Sequence, residues 1–267
     1  MVLQAEEGVL TTSSPRVLVA TAVPAERDAV ARAFSGAGTK AGAGTGLEGL
    51  TEIRLPGAAV CRAAAGWDLL AAGVGPARAA ASAAAALTAA ALDGTPYDLV
   101  VSAGIGGGFA PHAPVGSLVV ADAITVADLG AETADGFLAV TELGFGTVTH
   151  RTPESLVRVA SAATGARTGP ILTVSTVTGT AARADALRAR HPGALAEGME
   201  GFGIAEAAAA HGVPVLEIRA ISNPVGPRDR AAWRIGDALT ALTAAFGNLA
   251  PVLESWNAHD AHDAHDR

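Results

Sequence analysis

Apolar runs and helix-like segments alternate along the chain from one end to the other. The run over residues 16–22 is almost continuous, which is typical of a strand buried on both faces of a sheet. Pro24 follows at a position that suits the first turn of a helix, and residues 25–34 are predicted to form that helix. Further strands are predicted over residues 50–55, 58–62, 67–72, 97–102, 115–126, 169–175 and 213–221. Further helices are predicted over residues 77–92, 153–163, 180–190, 204–211 and 228–253.

Two parts of the chain interrupt this alternation. The glycine run 104–108 follows the strand 97–102, and Pro111 and Pro114 prevent a helix there, so we expect the glycine run to be a loop. Residues 128–152 are polar and rich in glycine, and we expect them to be irregular. A segment of that kind predicts a flexible lid or an insertion that faces a partner.

The order of the elements predicts the fold class. No linker divides the alternating strands and helices, which favours a single α/β domain. We expect three layers, with a central mixed, mostly parallel β-sheet flanked by helices. This domain is expected to span residues 15–254, between a flexible N-terminal arm of residues 1–14 and a disordered, His- and Asp-rich tail of residues 255–267.

Composition and charge exclude several classes of function. The chain has 267 residues, of which 50% are hydrophobic and 16% charged, as in globular proteins. Its formal net charge of −8 and the lack of a dense Lys/Arg cluster argue against a nucleic-acid partner. The single cysteine, Cys61, excludes an intramolecular disulfide and a Cys-based zinc site. The histidines lack the spacing of metal ligands, so we expect no metal site. No organic cofactor is expected either.

The sequence also lacks the signals of membrane insertion and secretion. No apolar run reaches about 18 residues with the aliphatic density of a membrane span. Residues 1–14 contain acidic residues, Ser and Thr, with no basic segment before an apolar one. We therefore expect a cytoplasmic protein without a membrane partner.

Two glutamates lie where chemistry is expected in an α/β fold. Glu26 comes just after the first strand, and the carboxyl ends of strands line the ligand crevice of open α/β sheets. A carboxylate there can accept a proton from water. Glu200 lies at a helix start between glycines and can accept two hydrogen bonds from a vicinal diol such as that of ribose. Either side chain could instead complement its helix dipole in solvent.

The strand over residues 213–221 leads into a third polar group. Asn223 has an amide that both donates and accepts hydrogen bonds, which suits a 6-oxopurine, although before Pro224 it could also serve a turn. Arg219 lies among apolar residues and is expected to have a partner if buried. Two glycine loops, residues 73–78 and 104–109, lack the third glycine of the dinucleotide fingerprint, so a dinucleotide-dependent oxidoreductase is a distant alternative.

Five short motifs, in this order, resemble the nucleoside phosphorylase/nucleosidase superfamily. They are the segments 22–26, 73–76, 102–107, 198–200 and 219–223. The resemblance spans residues 16–254 and implies a nucleoside phosphorylase-like fold. It implies catalytic roles for Glu26, Asn223 and Arg219. It also implies substrate contacts for a larger set from the same motifs: Ala103, Gly104, Gly198, Met199, Glu200 and Ser222.

Within this superfamily, residues 222–233 are similar to the corresponding segment of the futalosine hydrolases. Methylthioadenosine/adenosylhomocysteine nucleosidases have Asp, which suits a 6-aminopurine, where this chain has Asn223. The resemblance implies hydrolysis of the N-ribosidic bond of a 6-oxopurine nucleoside derivative, in particular futalosine. Hypoxanthine would be released, as in menaquinone biosynthesis by the futalosine route.

Three other hypotheses on the function stay open. The chain could be a methylthioadenosine/adenosylhomocysteine-type nucleosidase or a purine nucleoside phosphorylase. Phosphorylases of the superfamily carry basic phosphate loops where this chain has Glu26, so hydrolysis is favoured. A non-catalytic nucleoside-binding module is the third hypothesis. The resemblance also implies a homo-oligomer, with a small-molecule nucleoside as the other partner.

Overall fold

A computed structural model describes residues 14–34, 50–63 and 66–256 of the chain. These residues form twelve strands: β1 (Val17–Thr21), β2 (Thr51–Leu55), β3 (Ala58–Arg62), β4 (Trp67–Ala71), β5 (Leu99–Gly108), β6 (Leu118–Val126), β7 (Gly130–Thr133), β8 (Gly136–Ala139), β9 (Thr149–Arg151), β10 (Arg167–Thr173), β11 (Ala196–Gly198) and β12 (Val215–Pro224). They also form six α-helices: α1 (Pro24–Phe34), α2 (Pro76–Leu92), α3 (Glu154–Thr164), α4 (Ala181–Arg190), α5 (Gly201–Ala210) and α6 (Ile235–Glu254).

One large sheet forms the centre of this single-domain α/β fold. Its strand order is β11-β10-β6-β12-β5-β1-β4-β3-β2, and β9 pairs with β6. Because β11 also pairs with β5, the strands β5, β12, β6, β10 and β11 close into a ring, so this part of the sheet is barrel-like. The expectation of a central sheet simply flanked by helices is therefore corrected. The sheet is mixed, as predicted, but not mostly parallel: of its strand pairs in the described residues, five are parallel and five antiparallel.

Helices cover two faces of the sheet, and a large apolar core lies on each face. On β1, Leu18 and Ala20 pack in the core that α2 and α5 cover. Val17 and Val19 alternate with them and pack in the core under α1 and α6. Successive side chains of a strand point to opposite faces, so an unbroken apolar run is what a strand covered on both faces requires. The prediction made from residues 16–22 is confirmed.

The glycine run after residue 103 is a strand, where the sequence predicted a loop. β5 continues to Gly108 and pairs in parallel with β12 on one side, and in antiparallel with β11 on the other. A Cβ added at Gly106 would lie 2.8 Å from the Glu197 carbonyl oxygen, and one added at Gly108 would lie 2.0 Å from the Ala113 carbonyl oxygen. Glycine weakens a strand by local preference, but here it allows the close approach of neighbouring backbone. That tertiary requirement outweighs the propensity that the prediction used.

The segment 128–152 is more regular than predicted. β7 and β8 form a two-stranded antiparallel sheet, and β9 adds to the large sheet beside β6. The hairpin also contacts α4, because the Arg190 guanidinium carbon lies 4.4 Å from the centroid of the Phe137 ring. The expectation of an irregular segment is therefore wrong. Its role as a lid or as a contact between subunits stays a prediction.

The C-terminal helix begins later than predicted. Residues 228–234 do not join α6: they contain a short 3₁₀-helix, Arg230–Ala232, which Asp229 caps through a bond from the Ala231 N–H. The extended backbone of Trp233 then separates this turn from α6. The backbone N–H of Arg234 donates to the Ser222 carbonyl at 2.8 Å, so the segment is held against the end of β12.

Two strands in the C-terminal half differ from the prediction. The strand β11 was not predicted, and β12 starts two residues later and ends three residues later than predicted.

The predicted arm and tail lie almost entirely in residues 1–13 and 257–267, outside the described residues. In the ranges that the structure describes, no helix combines the length and apolarity needed to span a membrane.

Candidate active site

The carboxyl ends of three parallel strands meet at one place in the sheet. β5 pairs in parallel with β1 on one side and with β12 on the other. Glu26 lies in the first turn of α1, just after β1, and Arg219 on β12 is the register partner of Gly104 on β5. The three positions come from distant parts of the sequence and converge where α/β folds bind their ligands.

Glu26 is buried and bound by backbone N–H groups on both carboxylate oxygens. Its Oε1 accepts from the Ile105 N–H at 2.8 Å, and its Oε2 accepts from the N–H groups of Ala22 at 3.0 Å and Val23 at 3.3 Å. Burial raises the pKa of Glu26, while the Arg219 charge and the Ile105 N–H oppose that rise. The carboxylate is thus held rigidly, and it is a stronger base than an exposed glutamate.

Glu200 is the N-cap of α5 and points back towards the same place. Its Oε1 accepts from the Gly75 N–H at 3.3 Å, and its Oε2 accepts from Arg219 Nη1 at 3.2 Å and from the Met199 N–H at 3.3 Å. The side chain is buried, with 4% of its surface exposed. The loop 73–76 before α2 therefore supplies a backbone N–H to this glutamate.

Arg219 joins the two glutamates to the sheet. Its guanidinium is 1% exposed and donates to Glu200 and also, through Nη1, to the Ile105 carbonyl at 3.3 Å. Its Nε donates to Glu217 Oε1 at 2.8 Å. Burial acts to lower the pKa of Arg219, but the charges of Glu217, Glu200 and Glu26 outweigh it and raise that pKa. Arg219 therefore stays a cation, and the expectation that it has a partner when buried is confirmed.

Asn223 and Ser222 form a second polar group at the end of β12. Ser222 Oγ donates to Asn223 Oδ1 at 2.8 Å and lies 3.3 Å from the Gly106 carbonyl. Asn223 Nδ2 donates to the Pro224 carbonyl at 3.1 Å. The amide is half-buried and lies beside Gly107, its register partner on β5. The strand thus orients an amide, held by a hydroxyl, at the same end of the sheet as Glu26.

The remaining predicted contacts differ in what they offer a ligand. A Cβ added at Gly104 would lie 2.7 Å from Glu26 Oε1, and one added at Gly198 would lie 2.9 Å from the Arg219 guanidinium carbon, so both glycines border the charged cluster. Met199 is half-buried next to Glu200. Ala103 is 1% exposed and packs in the apolar core under α1 and α6.

Four polar residues near this cluster were missed in the sequence. Glu217 binds Arg219, and Ser102 Oγ lies 3.5 Å from Arg219 Nη2. Glu197, before Gly198, accepts from both the backbone N–H and the hydroxyl of Thr178. A signal for Glu217 existed: residues two apart on a strand share a face, so a Glu and an Arg at 217 and 219 predict a pair.

A surface cavity among the described residues lies away from this cluster. It is an open depression of about 810 Å³ near the start of β10 and the end of α3, and none of the predicted site residues line it. Its walls include His112, Arg158, Thr168 and Leu195. The convergence of buried charges, rather than the size of a surface depression, identifies the candidate site. Within the described residues no three His, Cys, Asp or Glu side chains are grouped so as to hold a metal ion.

Comparisons with known proteins agree with the resemblance seen in the sequence. The family model described as Phosphorylase superfamily matches residues 16–254. A Streptomyces coelicolor protein named futalosine hydrolase is 75% identical over 244 residues, which cover 91% of this chain and 99% of the relative. An Acidothermus cellulolyticus protein of the same name is 45% identical over 241 residues, 88% of this chain and 91% of the relative.

A solved structure shares the fold. It is that of a Helicobacter pylori MTAN mutant with 5′-methylthioadenosine in the active site. It superposes with a TM-score of 0.71 at 17% sequence identity and covers 89% of this chain and 99% of its own.

Proposed function

The chain belongs to the phosphorylase superfamily and is a hydrolase of the nucleosidase type, and from this premise we propose that it hydrolyses the N-ribosidic bond of futalosine. Hypoxanthine is the base released, in menaquinone biosynthesis by the futalosine route. The observation that carries the proposal is the meeting of Glu26, Glu200 and Arg219 in one buried cluster at the ends of β1, β5 and β12. The two relatives named futalosine hydrolase support the choice of substrate.

Glu200 is the residue that binds the ribose. Each oxygen of an ionised carboxylate can accept about two hydrogen bonds. Three bonds, from the N–H groups of Gly75 and Met199 and from Arg219, hold the side chain in place and leave Oε1 able to accept from a ribose hydroxyl. A carboxylate fixed in this way orients the sugar, and Gly198 and Met199 directly precede it in the chain.

Glu26 activates the attacking water. The glycosidic bond breaks through a transition state in which the ribose carries positive charge, as in other glycoside cleavages. The three backbone donors fix the carboxylate, and its raised pKa makes it a better acceptor for the proton of water. Arg219 stays protonated and holds the positions of Glu200 and the Ile105 carbonyl beside it.

Asn223 recognises the departing base. Its amide can donate to O6 of hypoxanthine and accept from the ring N–H at N7, and the bond from Ser222 holds the amide oxygen. An amide has no proton to give up at neutral pH. The leaving-group proton therefore comes from water in this scheme. Ala103 and Gly104 lie on β5, which pairs with β12 beside Asn223.

Hydrolysis is favoured over phosphorolysis because of the charge after β1. The site carries the buried Glu26 carboxylate there, and a phosphate dianion would be repelled by it. The next residue, Arg27, is occupied by Asp28 at 2.8 Å and is not available as a phosphate ligand in this arrangement.

The test is chromatography for free purine base after incubation with futalosine, inosine or methylthioadenosine, each with and without phosphate. Futalosine should yield hypoxanthine in phosphate-free buffer. Release that requires phosphate would identify a phosphorylase, and adenine from methylthioadenosine alone would identify the other nucleosidase class. Binding of all three without release of base would indicate a non-catalytic module. Glu26→Gln serves as the inactive reference, and any of the last three results would overturn the proposal.

A further inference from the structure

Glu217 is a buried carboxylate for which the catalytic scheme above has no use. It lies on β12 between Leu216 and Ile218, and all three residues are 0% exposed. Its Oε1 accepts from Arg219 Nε at 2.8 Å, while its Oε2 is buried without a hydrogen-bond partner. A charged side chain is costly to bury without a reason, since burial disfavours the ionised form.

The fold makes room for this carboxylate. A Cβ added at Gly201, the first residue of α5, would lie 2.2 Å from Glu217 Oε2 and 2.3 Å from Oε1. Real Cβ atoms do not approach so closely, so the helix start beside Glu200 is built around the Glu217 side chain. On the other side, Gly198 leaves the space that the Arg219 guanidinium occupies.

Three carboxylates face one guanidinium in this cluster. Among the described residues, the charged groups that act on Arg219 are Glu26 from α1, Glu200 at the start of α5 and Glu217 on β12 itself. Glu26 and Glu200 have roles in the catalytic scheme, with water and with the ribose. Glu217 is enclosed by the strand and the helix start, so it reaches the reaction only through Arg219.

We propose that Glu217 is a positioning residue, which fixes the Arg219 guanidinium between Glu26 and Glu200 and offsets its positive charge. This inference rests on the proposed function. A guanidinium bound at Nε has a fixed plane, which aims Nη1 at Glu200 and at the Ile105 carbonyl. The offset matters because an uncompensated cation beside Glu26 would stabilise its ionised form and make it a weaker base.

Glu217→Gln is the first test, because the amide keeps an acceptor for Nε and removes only the charge. With the charge of Arg219 no longer offset, the pKa of Glu26 should fall. The acid limb of kcat/KM against pH should therefore move to lower pH, and kcat near neutral pH should fall about tenfold with KM nearly unchanged. A merely structural role would not move the pH profile. Glu154→Gln, an exposed carboxylate on α3, is the matched control and should change neither quantity.

A measurement without substrate separates this inference from the proposed function. In ¹³C NMR of protein labelled at the glutamate carboxyl carbons, Glu26 is assigned by its loss in Glu26→Gln. Its titration should shift to lower pH in Glu217→Gln and stay in place in Glu154→Gln. Failure of the wild type to release hypoxanthine would overturn the proposed function and leave this titration as the test of the charge offset. A Glu26 titration unchanged in Glu217→Gln would overturn the offset even in a fully active enzyme.

Glu217→Asp covers the case in which the glutamine variant does not fold. It keeps the charge but withdraws the carboxylate from Arg219 Nε, so kcat should fall while the acid limb stays at the wild-type pH. A displacement of that order can cost about 100-fold in rate. Wild-type kcat in the folded aspartate variant would show that the position of the carboxylate does not matter, and would overturn the positioning role.

Discussion

The backbone N–H of Ile105 donates a hydrogen bond to the Glu26 carboxylate at 2.8 Å. This bond joins the start of α1 to the glycine-rich half of β5, two segments 79 residues apart in the chain. The residue before Ile105 lies against both charges of the cluster, because a Cβ at Gly104 would be 2.7 Å from Glu26 Oε1 and 2.8 Å from Arg219 Nη1. The absence of a side chain at 104 is therefore a condition for the placement of Glu26.

Gly104→Ala tests that condition. The added methyl group should displace the Glu26 carboxylate or the guanidinium, and kcat/KM should fall about 100-fold, the cost of a misplacement near 1 Å. Steady-state kinetics with futalosine give the measurement, and circular dichroism checks the fold. Gly247→Ala, on the exposed side of α6 with nothing within 4 Å of the added methyl, is the matched control. Equal activity in the two variants would contradict the close packing around Glu26.

Glu26→Gln should abolish turnover and spare binding. The amide fills the same space but cannot take a proton from water, so kcat should fall by about 10² to 10⁴. Affinity for hypoxanthine, measured by calorimetry, should stay close to the wild-type value. Glu154→Gln provides the surface control for the same chemical change. Full activity of Glu26→Gln would remove this residue from the mechanism.

The dependence of activity on pH follows from the environment of Glu26. Burial raises its pKa above the ordinary glutamate value of 4.5, although the Arg219 charge opposes the rise. A general base works only when deprotonated, so kcat/KM should be lost as pH falls through the raised pKa. The acid limb should therefore lie above pH 4.5. An acid limb at or below the ordinary value would argue against a buried base.

Local motifs made the two glutamates predictable from sequence. Glu26 follows an unbroken apolar run and Pro24, and Glu200 lies between glycines at a helix start. These local patterns predict that each glutamate lies at the end of a strand or the start of a helix. Their meeting depends on the pairing of β5 with both β1 and β12. Since sequence order and sheet order differ here, periodicity alone does not give that neighbourhood.

The parts that were missed depend on contacts between distant segments. Residues 104–108 form a strand because β11 and β12 pair with them, and the pairing of β11 with β5 closes the ring. Glu217 was not singled out because it lies within an apolar run. The room for its side chain is left by Gly201, which belongs to another element. The start of α6 was predicted too early. The bond from the Arg234 N–H to the Ser222 carbonyl holds the preceding turn against β12, and the sequence pattern does not reveal this contact.

Asn223→Asp should change the preference between purine bases. Replacing the amide by a carboxylate removes the donor to O6 of hypoxanthine and adds an acceptor for the 6-amino group of adenine. Inhibition by free hypoxanthine should weaken about tenfold or more, and inhibition by adenine should strengthen. A tenfold change in an inhibition constant corresponds to about 1.4 kcal/mol of binding free energy. Thr133→Ser, in the distant hairpin, should leave both inhibition constants unchanged. An unaltered ratio in Asn223→Asp would show that this side chain does not contact the base.

Glu200→Gln tests the assignment of the ribose contact and separates it from a purely structural role. The bonds from the Gly75 N–H and Arg219 hold the carboxylate in place, and glutamine can keep one acceptor for them. The variant should raise KM for inosine or futalosine by about tenfold or more, because a charge-assisted bond to the sugar hydroxyl is replaced by a neutral one. The decisive measurement is a cycle of two enzymes and two substrates, inosine and 2′-deoxyinosine. If Glu200 binds the 2′-hydroxyl, the wild type should prefer inosine strongly and the variant should lose most of that preference. Equal penalties on both substrates would mean that Glu200 supports the cluster without touching the sugar, because a structural defect does not distinguish a substrate by one hydroxyl.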